Sequence, residues 1–290
     1  MSDYHTPVML QESISALVNS PDGIYVDATF GGGGHTAEIL SRLNDGGRVI
    51  AFDRDGEALQ NVGEDSRLTL VHNNFRYIEN YREYLGVTNG FDGILADLGV
   101  SSHQFDTAGR GFSFRFQDAP LDMRMNGEGG RSAADFVNNC TVEQLEKVLR
   151  LYGEVDGARR MAGLIIQARP LKTTGDLDGA IAPMLPATAE HKVLAKVYQA
   201  LRIEVNREMR SLEKFLEGAA ATLKTGGKLV VITYHSLEDR MVKHFIRECA
   251  SLKAEGKMVL PTEEEIAGNT RARSAKLRVA VKLEEGVWQR

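Results

Sequence analysis

The chain has 290 residues, 42% hydrophobic and 26% charged, with 29 Gly, 2 Cys and a net charge of −5. This balance excludes a disordered chain, which lacks apolar residues, a collagen, which needs glycine at every third position, and a disulfide scaffold, which needs dense cysteine. No apolar run approaches the roughly 18 residues of a membrane span, Met1–Leu10 carries no basic-then-apolar leader, and Cys140 and Cys249 suit a reducing compartment, so a cytoplasmic location without membrane contact is expected.

Ile24–Phe30 is apolar and β-rich and predicts a first strand, Gly31–Gly34 a turn, and His35–Leu43 a helix that packs Ile39, Leu40 and Leu43 inward. Gly46 and Gly47 close that helix, and further strands are predicted at Arg48–Asp53, Leu68–Val71 and Phe91–Asp97. Strands alternating with crossover segments imply a parallel, doubly wound α/β sheet.

The rhythm stops after Ser102. His103–Asn126, rich in Gly, Arg and Phe, reads as a long ordered loop of the kind that carries function. Helices follow: Thr141 and Gln144 form a capping box ahead of Leu145, Val148 and Tyr152, then come Val155, Ala158, Ala162 and Ile165, then Leu194, Val197 and Leu201. Residues 103–202 are therefore expected to form an inserted loop-plus-helical domain for substrate recognition, flanked by the two parts of a sheet domain, 1–102 and 203–290.

In the last third, Val205, Met209, Leu212 and Leu216 predict a helical stripe that ends at Gly226 and Gly227, and Lys228–Tyr234 predicts a buried fifth strand. Ser236 with Asp239 is placed to cap a helix with Leu237, Met241 and Phe245 inside and Arg240, Lys243 and Arg247 outside. Leu277–Leu283 alternates apolar and basic residues as an edge strand does. Charge is segregated: residues 1–102 hold 15 acidic and 6 basic side chains, whereas 203–290 hold 13 and 16.

The run Asp27-Ala28-Thr29-Phe30-Gly31-Gly32-Gly33-Gly34-His35 lies at a strand-to-helix junction, where backbone N–H groups and a helix N-terminus can approach a nucleotide-like ligand. Thr36 stands where a dinucleotide fingerprint needs its third glycine, which disfavours NAD and a dehydrogenase. Asp53, ending the second strand, can accept hydrogen bonds from both hydroxyls of a ribose, and S-adenosylmethionine offers one, together with a carboxylate for the turn. Asp27, Asp53 and Asp97 end strands of one sheet and are expected to border one crevice, where three acids suit a sulfonium cation. Phe75, after the third strand, either stacks on an adenine or belongs to the core.

These segments, with His5-Thr6-Pro7-Val8-Met9-Leu10, Asp97-Leu98-Gly99-Val100-Ser101-Ser102, Arg110-Gly111-Phe112-Ser113-Phe114, Leu121-Asp122-Met123-Arg124-Met125, Gln199-Ala200-Leu201-Arg202-Ile203, Tyr234-His235-Ser236-Leu237-Glu238-Asp239-Arg240 and Arg271-Ala272-Arg273-Ser274-Ala275-Lys276-Leu277-Arg278, closely resemble the S-adenosylmethionine-dependent ribosomal RNA small-subunit methyltransferase H family over nearly the whole chain. The resemblance implies a Rossmann-like class I methyltransferase sheet interrupted by a helical domain. It also implies methylation of a cytidine N4 amine in the decoding region of 16S RNA, with cofactor contacts at Gly33, Gly34, His35, Asp53, Phe75, Asp97 and Gln104. The chain departs from the family pattern at His191-Lys192-Val193-Leu194-Ala195, where His-Pro-Ala-Thr-Arg is usual, and at Asn269-Thr270-Arg271, where Asn-Pro-Arg is usual.

A cytosine amine is a poor nucleophile because its lone pair is conjugated into the ring, so an acceptor must orient it. Asp97 is the candidate acceptor, and Asp97, His235 or water the candidate proton sink. Leu98-Gly99-Val100 follows Asp97 where amino-methyltransferases commonly carry Pro-Pro-aromatic, and a histidine before a helix also serves as a cap. Arg110, Arg115, Arg124 and Arg131, with Arg271, Arg273, Lys276 and Arg278, are candidates to hold RNA phosphates. No metal is expected. The competing reading is a non-catalytic ribosome-assembly factor that binds S-adenosylmethionine without turnover.

Overall fold

In the computed structural model, which describes residues 7–284 apart from 62, 128 and 187, the apolar runs form a seven-stranded sheet. Helix α1 (Leu10–Leu17) precedes β1 (Ile24–Asp27), α2 (Gly34–Ser41) leads to β2 (Arg48–Asp53), β3 (Leu68–His72) follows, and α3 (Ile78–Tyr84) leads to β4 (Phe91–Asp97). Then come α4 (Ser102–Asp106), α5 (Ala133–Asn139), α6 (Val142–Gly153), α7 (Ala158–Gln167), α8 (Thr174–Ile181) and α9 (Glu190–Asn206). The chain returns through α10 (Glu208–Thr222), β5 (Leu223–Thr233), α11 (Ser236–Glu248), β6 (Leu252–Ala254), α12 (Glu263–Gly268) and β7 (Lys276–Lys282). His5 and Thr6 of the first family segment lie outside the described residues.

The strand order is β3-β2-β1-β4-β5-β7-β6, with β1 to β5 parallel and β7 antiparallel to both its neighbours. This is the Rossmann-like sheet of class I methyltransferases, as the resemblance implies. Tyr25, Val26, Val49, Phe52, Ile94, Leu95, Val230 and Ile232 are wholly buried, because both faces of a parallel sheet are covered and its strands can be apolar throughout. The chain order reverses between β1 and β4, which opens a crevice outside the carboxyl ends of the strands at that point.

The chain divides into two compact units, residues 1–99 with 210–290 and residues 100–209. The second has its own core, in which Phe136, Leu149, Met161, Ile165, Leu177, Val197 and Leu201 meet. His103–Asn126 is part of that core, since Leu121, Met123 and Met125 are buried. Asn206 fastens it, accepting from the Met125 N–H at 2.8 Å and donating to the Met123 carbonyl at 2.7 Å. Among the described residues no helix is long and apolar enough to cross a membrane.

Several local expectations shift. The stripe from Val205 to Leu216 is two helices, broken at Arg207, whose φ of 50° is left-handed. The buried face of α11 centres on Glu238, Val242 and Ile246, one residue on from the expected Leu237, Met241 and Phe245. His235, not Ser236, caps that helix, because its ring accepts from the Glu238 N–H. Asp239 instead holds Arg278 at 2.7 Å and Lys276 at 3.3 Å. Strand β7 is interior, not an edge: three-residue β6 lies outside it, too short to leave a period in the sequence. Thr270 opens a 3₁₀ turn capped by Asn269, a position that suits proline, so the departure from Asn-Pro-Arg keeps the cap and changes only the residue after it.

Candidate active site

The glycine turn is built around Asp27. Its Oδ1 accepts from the Thr29 N–H at 3.0 Å and its Oδ2 from the Thr36 hydroxyl at 2.7 Å. The side chain is wholly buried, so Asp27 does not join the rim of acids expected of it; it staples the turn from beneath. Thr36 thus has a task that glycine would not perform. Gly33, at φ 78°, caps α2, and its N–H donates to the Phe30 carbonyl at 2.7 Å. A β-carbon on Gly34 would lie 2.2 Å from Pro7 Cγ, so Pro7 packs directly on the turn.

His35 is buried, with Nε2 3.1 Å from the Val8 carbonyl. A carbonyl only accepts, so Nε2 carries the hydrogen and Nδ1 faces Asp97. Asp53, at the carboxyl end of β2, accepts from the Gly31 N–H at 2.8 Å and the Asp55 N–H at 2.8 Å. Burial holds its carboxyl above the ordinary range, against the lowering effect of those two N–H groups. Each oxygen receives one of these bonds, and each keeps capacity for a hydroxyl. Phe75 is half-buried at the carboxyl end of β3, its ring edge-on to Phe215 at 5.1 Å between centroids.

Asp97 ends β4, and its N–H donates to the Thr29 hydroxyl at 2.7 Å. The Tyr234 hydroxyl donates to its Oδ1 at 2.6 Å, while Oδ2 lies 3.9 Å from His35 Nδ1, beyond hydrogen-bonding distance. Burial pushes the Asp97 carboxyl up to about 6, against the opposing influence of His35 and the Tyr234 hydrogen bond. Burial and the neighbouring carboxylate drive the Tyr234 phenol well above its ordinary value, so it remains a donor. Sequence reasoning singled out Asp97 and His35 but gave no task to Thr29 or Tyr234. The pairing that brings them together belongs to the fold: Ile232 of β5 lies opposite Asp97, and Tyr234 follows directly after the end of β5.

His235 sits at the start of α11 with Nε2 3.1 Å from Glu238 Oε1 and Nδ1 3.4 Å from the Glu238 N–H. Arg271 and Arg273 flank buried Ala272 in the 3₁₀ turn before β7, and Arg273 is exposed. In the other unit, Gln104 is buried and forms a reciprocal cap with Ser101. Arg110 donates to the Arg124 and Met125 carbonyls at 3.2 and 2.9 Å, and Arg124 holds Asp122 at 2.7 Å. Arg115 pairs with Asp106 at 2.6 Å and Arg131 with Glu204 at 3.6 Å.

A family model described as the MraW methylase family matches residues 2–283. Curated relatives named ribosomal RNA small subunit methyltransferase H include that of Parabacteroides distasonis, 50% identical with 97% of this chain and 98% of the relative covered. That of Phocaeicola vulgatus is also 50% identical, with 96% and 97% covered. A solved structure of an rRNA methylase from Streptococcus thermophilus is similar at a TM-score of 0.44 and 14% identity, covering 94% of this chain and 93% of that one.

Proposed function

The chain belongs to the MraW methylase family, and from that membership we propose that it methylates the N4 amine of a cytidine in the decoding region of 16S ribosomal RNA. It is a methyltransferase that uses S-adenosylmethionine to modify ribosomal RNA. The small ribosomal subunit is the partner that presents the base.

The carboxyl edge of the sheet fits this cofactor. Gly31 and Gly33 adopt positive φ and bring a turn without side chains to the N-terminus of α2, and such a turn suits the amino-acid carboxylate. Gly33, Gly34 and His35 would hold that end, Asp53 the ribose hydroxyls and Phe75 the adenine, and the family pattern adds Gln104. When bound, S-adenosylmethionine supplies a methyl group on a sulfonium whose sulfur departs as a neutral thioether, so no residue is needed to protonate the leaving group.

The observation that carries the reading is the half-occupied carboxylate of Asp97, with Oδ1 held by Tyr234 and Oδ2 open. Asp97 Oδ2 accepts one N–H of the exocyclic amine, which turns the nitrogen lone pair out of conjugation and toward the methyl group. The nitrogen gains a methyl and sheds one proton, and Asp97, whose carboxyl is pushed up to about 6, is a base matched to neutral pH. His235 positions the start of α11 through Glu238, and we assign it no proton transfer. The base leaves its stack to reach the crevice, which costs a few kcal/mol and least in irregular RNA. Arg273, exposed on its turn, is the first candidate to hold its phosphates, with Arg271 beside it, and Arg110 and Arg124 are engaged within their own loop.

The test is transfer of labelled methyl to small subunits lacking the modification, beside naked 16S RNA, followed by nuclease digestion and mass spectrometry. Label on a cytidine N4 supports the reading. Confirmed cofactor binding with no label on either substrate overturns it in favour of a non-catalytic assembly factor.

A further inference from the structure

We propose that Tyr234 is a positioning residue for methyl transfer: its hydroxyl clamps one oxygen of Asp97 and leaves the other as the acceptor that orients the amine. This rests on the assignment of Asp97 as that acceptor. A carboxylate at a strand end can rotate and present either oxygen, and an amine held by the wrong one points its lone pair away from the methyl group. Here the choice is made by the neighbouring strand. The Tyr234 hydroxyl lies 2.6 Å from Asp97 Oδ1.

Tyr234 is itself held at both ends. Its N–H donates to Glu238 Oε2 at 2.9 Å, and its ring packs on Gly99, where an added β-carbon would lie 3.3 Å from the ring. Gly99 has φ 107°, a conformation open to glycine, so the segment leaving Asp97 passes beneath the ring without a side chain between them. The sequence lacks an aromatic residue in Leu98-Gly99-Val100, and the end of β5 supplies one to the same segment.

The groups that act electrostatically on Asp97 come from four elements: His35 from α2, Asp27 from β1, Glu238 from α11 and Tyr234 after β5. The carboxylates of Asp27 and Glu238 disfavour its ionised form, whereas His35 and the Tyr234 hydroxyl favour it. Removing the hydroxyl must therefore raise the pH at which Asp97 becomes a competent acceptor.

The experiment compares wild type, Tyr234→Phe, Asp97→Asn and a form with 3,5-difluorotyrosine at 234, all assayed on small subunits with calorimetric cofactor binding as the check of folding. Tyr234→Phe is expected to lower kcat roughly 10- to 100-fold, with KM for both substrates little changed, and to move the acid limb of kcat toward higher pH. Difluorotyrosine keeps the shape, donates more strongly and moves the limb the other way. It decides the matter even if Tyr234→Phe fails to fold. An unmoved limb in both substituted proteins, with Asp97→Asn inactive, overturns the role of Tyr234 and leaves that of Asp97 standing. Wild-type turnover by Asp97→Asn overturns both.

Discussion

The Thr36 hydroxyl donates to Asp27 Oδ2 at 2.7 Å in the protein interior, tying the first turn of α2 back to the end of β1. Thr36→Val keeps the shape and removes the donor, leaving a buried carboxylate oxygen without its partner. The expected loss is about 1–3 kcal/mol of stability, read as a lower denaturant midpoint, with Thr36→Ser close to wild type. A midpoint unchanged by Thr36→Val would falsify the staple.

That pair also shows where sequence reading reaches its limit. The strands Arg48–Asp53 and Phe91–Asp97 were legible to the residue because burial on both faces makes them continuous apolar runs. The Thr141–Gln144 capping box was legible because it is local in sequence. Asp27, however, looked identical to Asp53 and Asp97 as an acid ending a strand. Only the fold shows that its two oxygens are consumed by Thr29 and Thr36. The contact between Tyr234 and Asp97 joins residues 137 positions apart, so no periodicity could announce it. On α11 two stripes share the same spacing, and the buried one contains Glu238, a residue that hydropathy places outside.

Asp53 offers a direct measure of the ribose assignment. Its carboxylate receives the Gly31 and Asp55 N–H groups and would accept the cofactor hydroxyls with its remaining lone pairs. Asp53→Ala is expected to weaken binding of S-adenosylhomocysteine roughly 10- to 100-fold, the range for hydrogen bonds to a charged group. Isothermal calorimetry decides it, and unchanged affinity would show that the ribose lies elsewhere.

Asp97 should trade stability for function. Its carboxyl, pushed from 3.8 up to about 6 by burial, binds a proton in the folded protein over a window where the unfolded chain has already released it. The group's favourable contribution is thus fully present below pH 4 and lost as pH rises through 6. At 1.36 kcal/mol per unit the loss is up to about 3 kcal/mol. Asn cannot ionise and still accepts from Tyr234. Asp97→Asn should therefore abolish methyl transfer while gaining stability over wild type between pH 4 and 7, by urea denaturation at each pH. A gap independent of pH would mean that the carboxylate is solvated well enough to ionise without penalty.

The arginines near the end of the chain can be separated by their partners. Arg278 is neutralised by Asp239 at 2.7 Å, whereas Arg273 is exposed on a 3₁₀ turn anchored by buried Ala272. A phosphate contact releases a counterion, so removing one lowers the magnitude of the slope of log affinity against log salt by roughly 0.7 to 0.9. Arg273→Ala should show that change in RNA binding and melt like wild type. Arg278→Ala should lose stability by leaving Asp239 with Lys276 alone, at 3.3 Å, and leave the slope nearly as it was. Filter binding of small subunits across a salt series, beside thermal melts, tests both. If Arg278→Ala changes the slope and Arg273→Ala does not, the RNA lies along β7 and draws Arg278 away from Asp239.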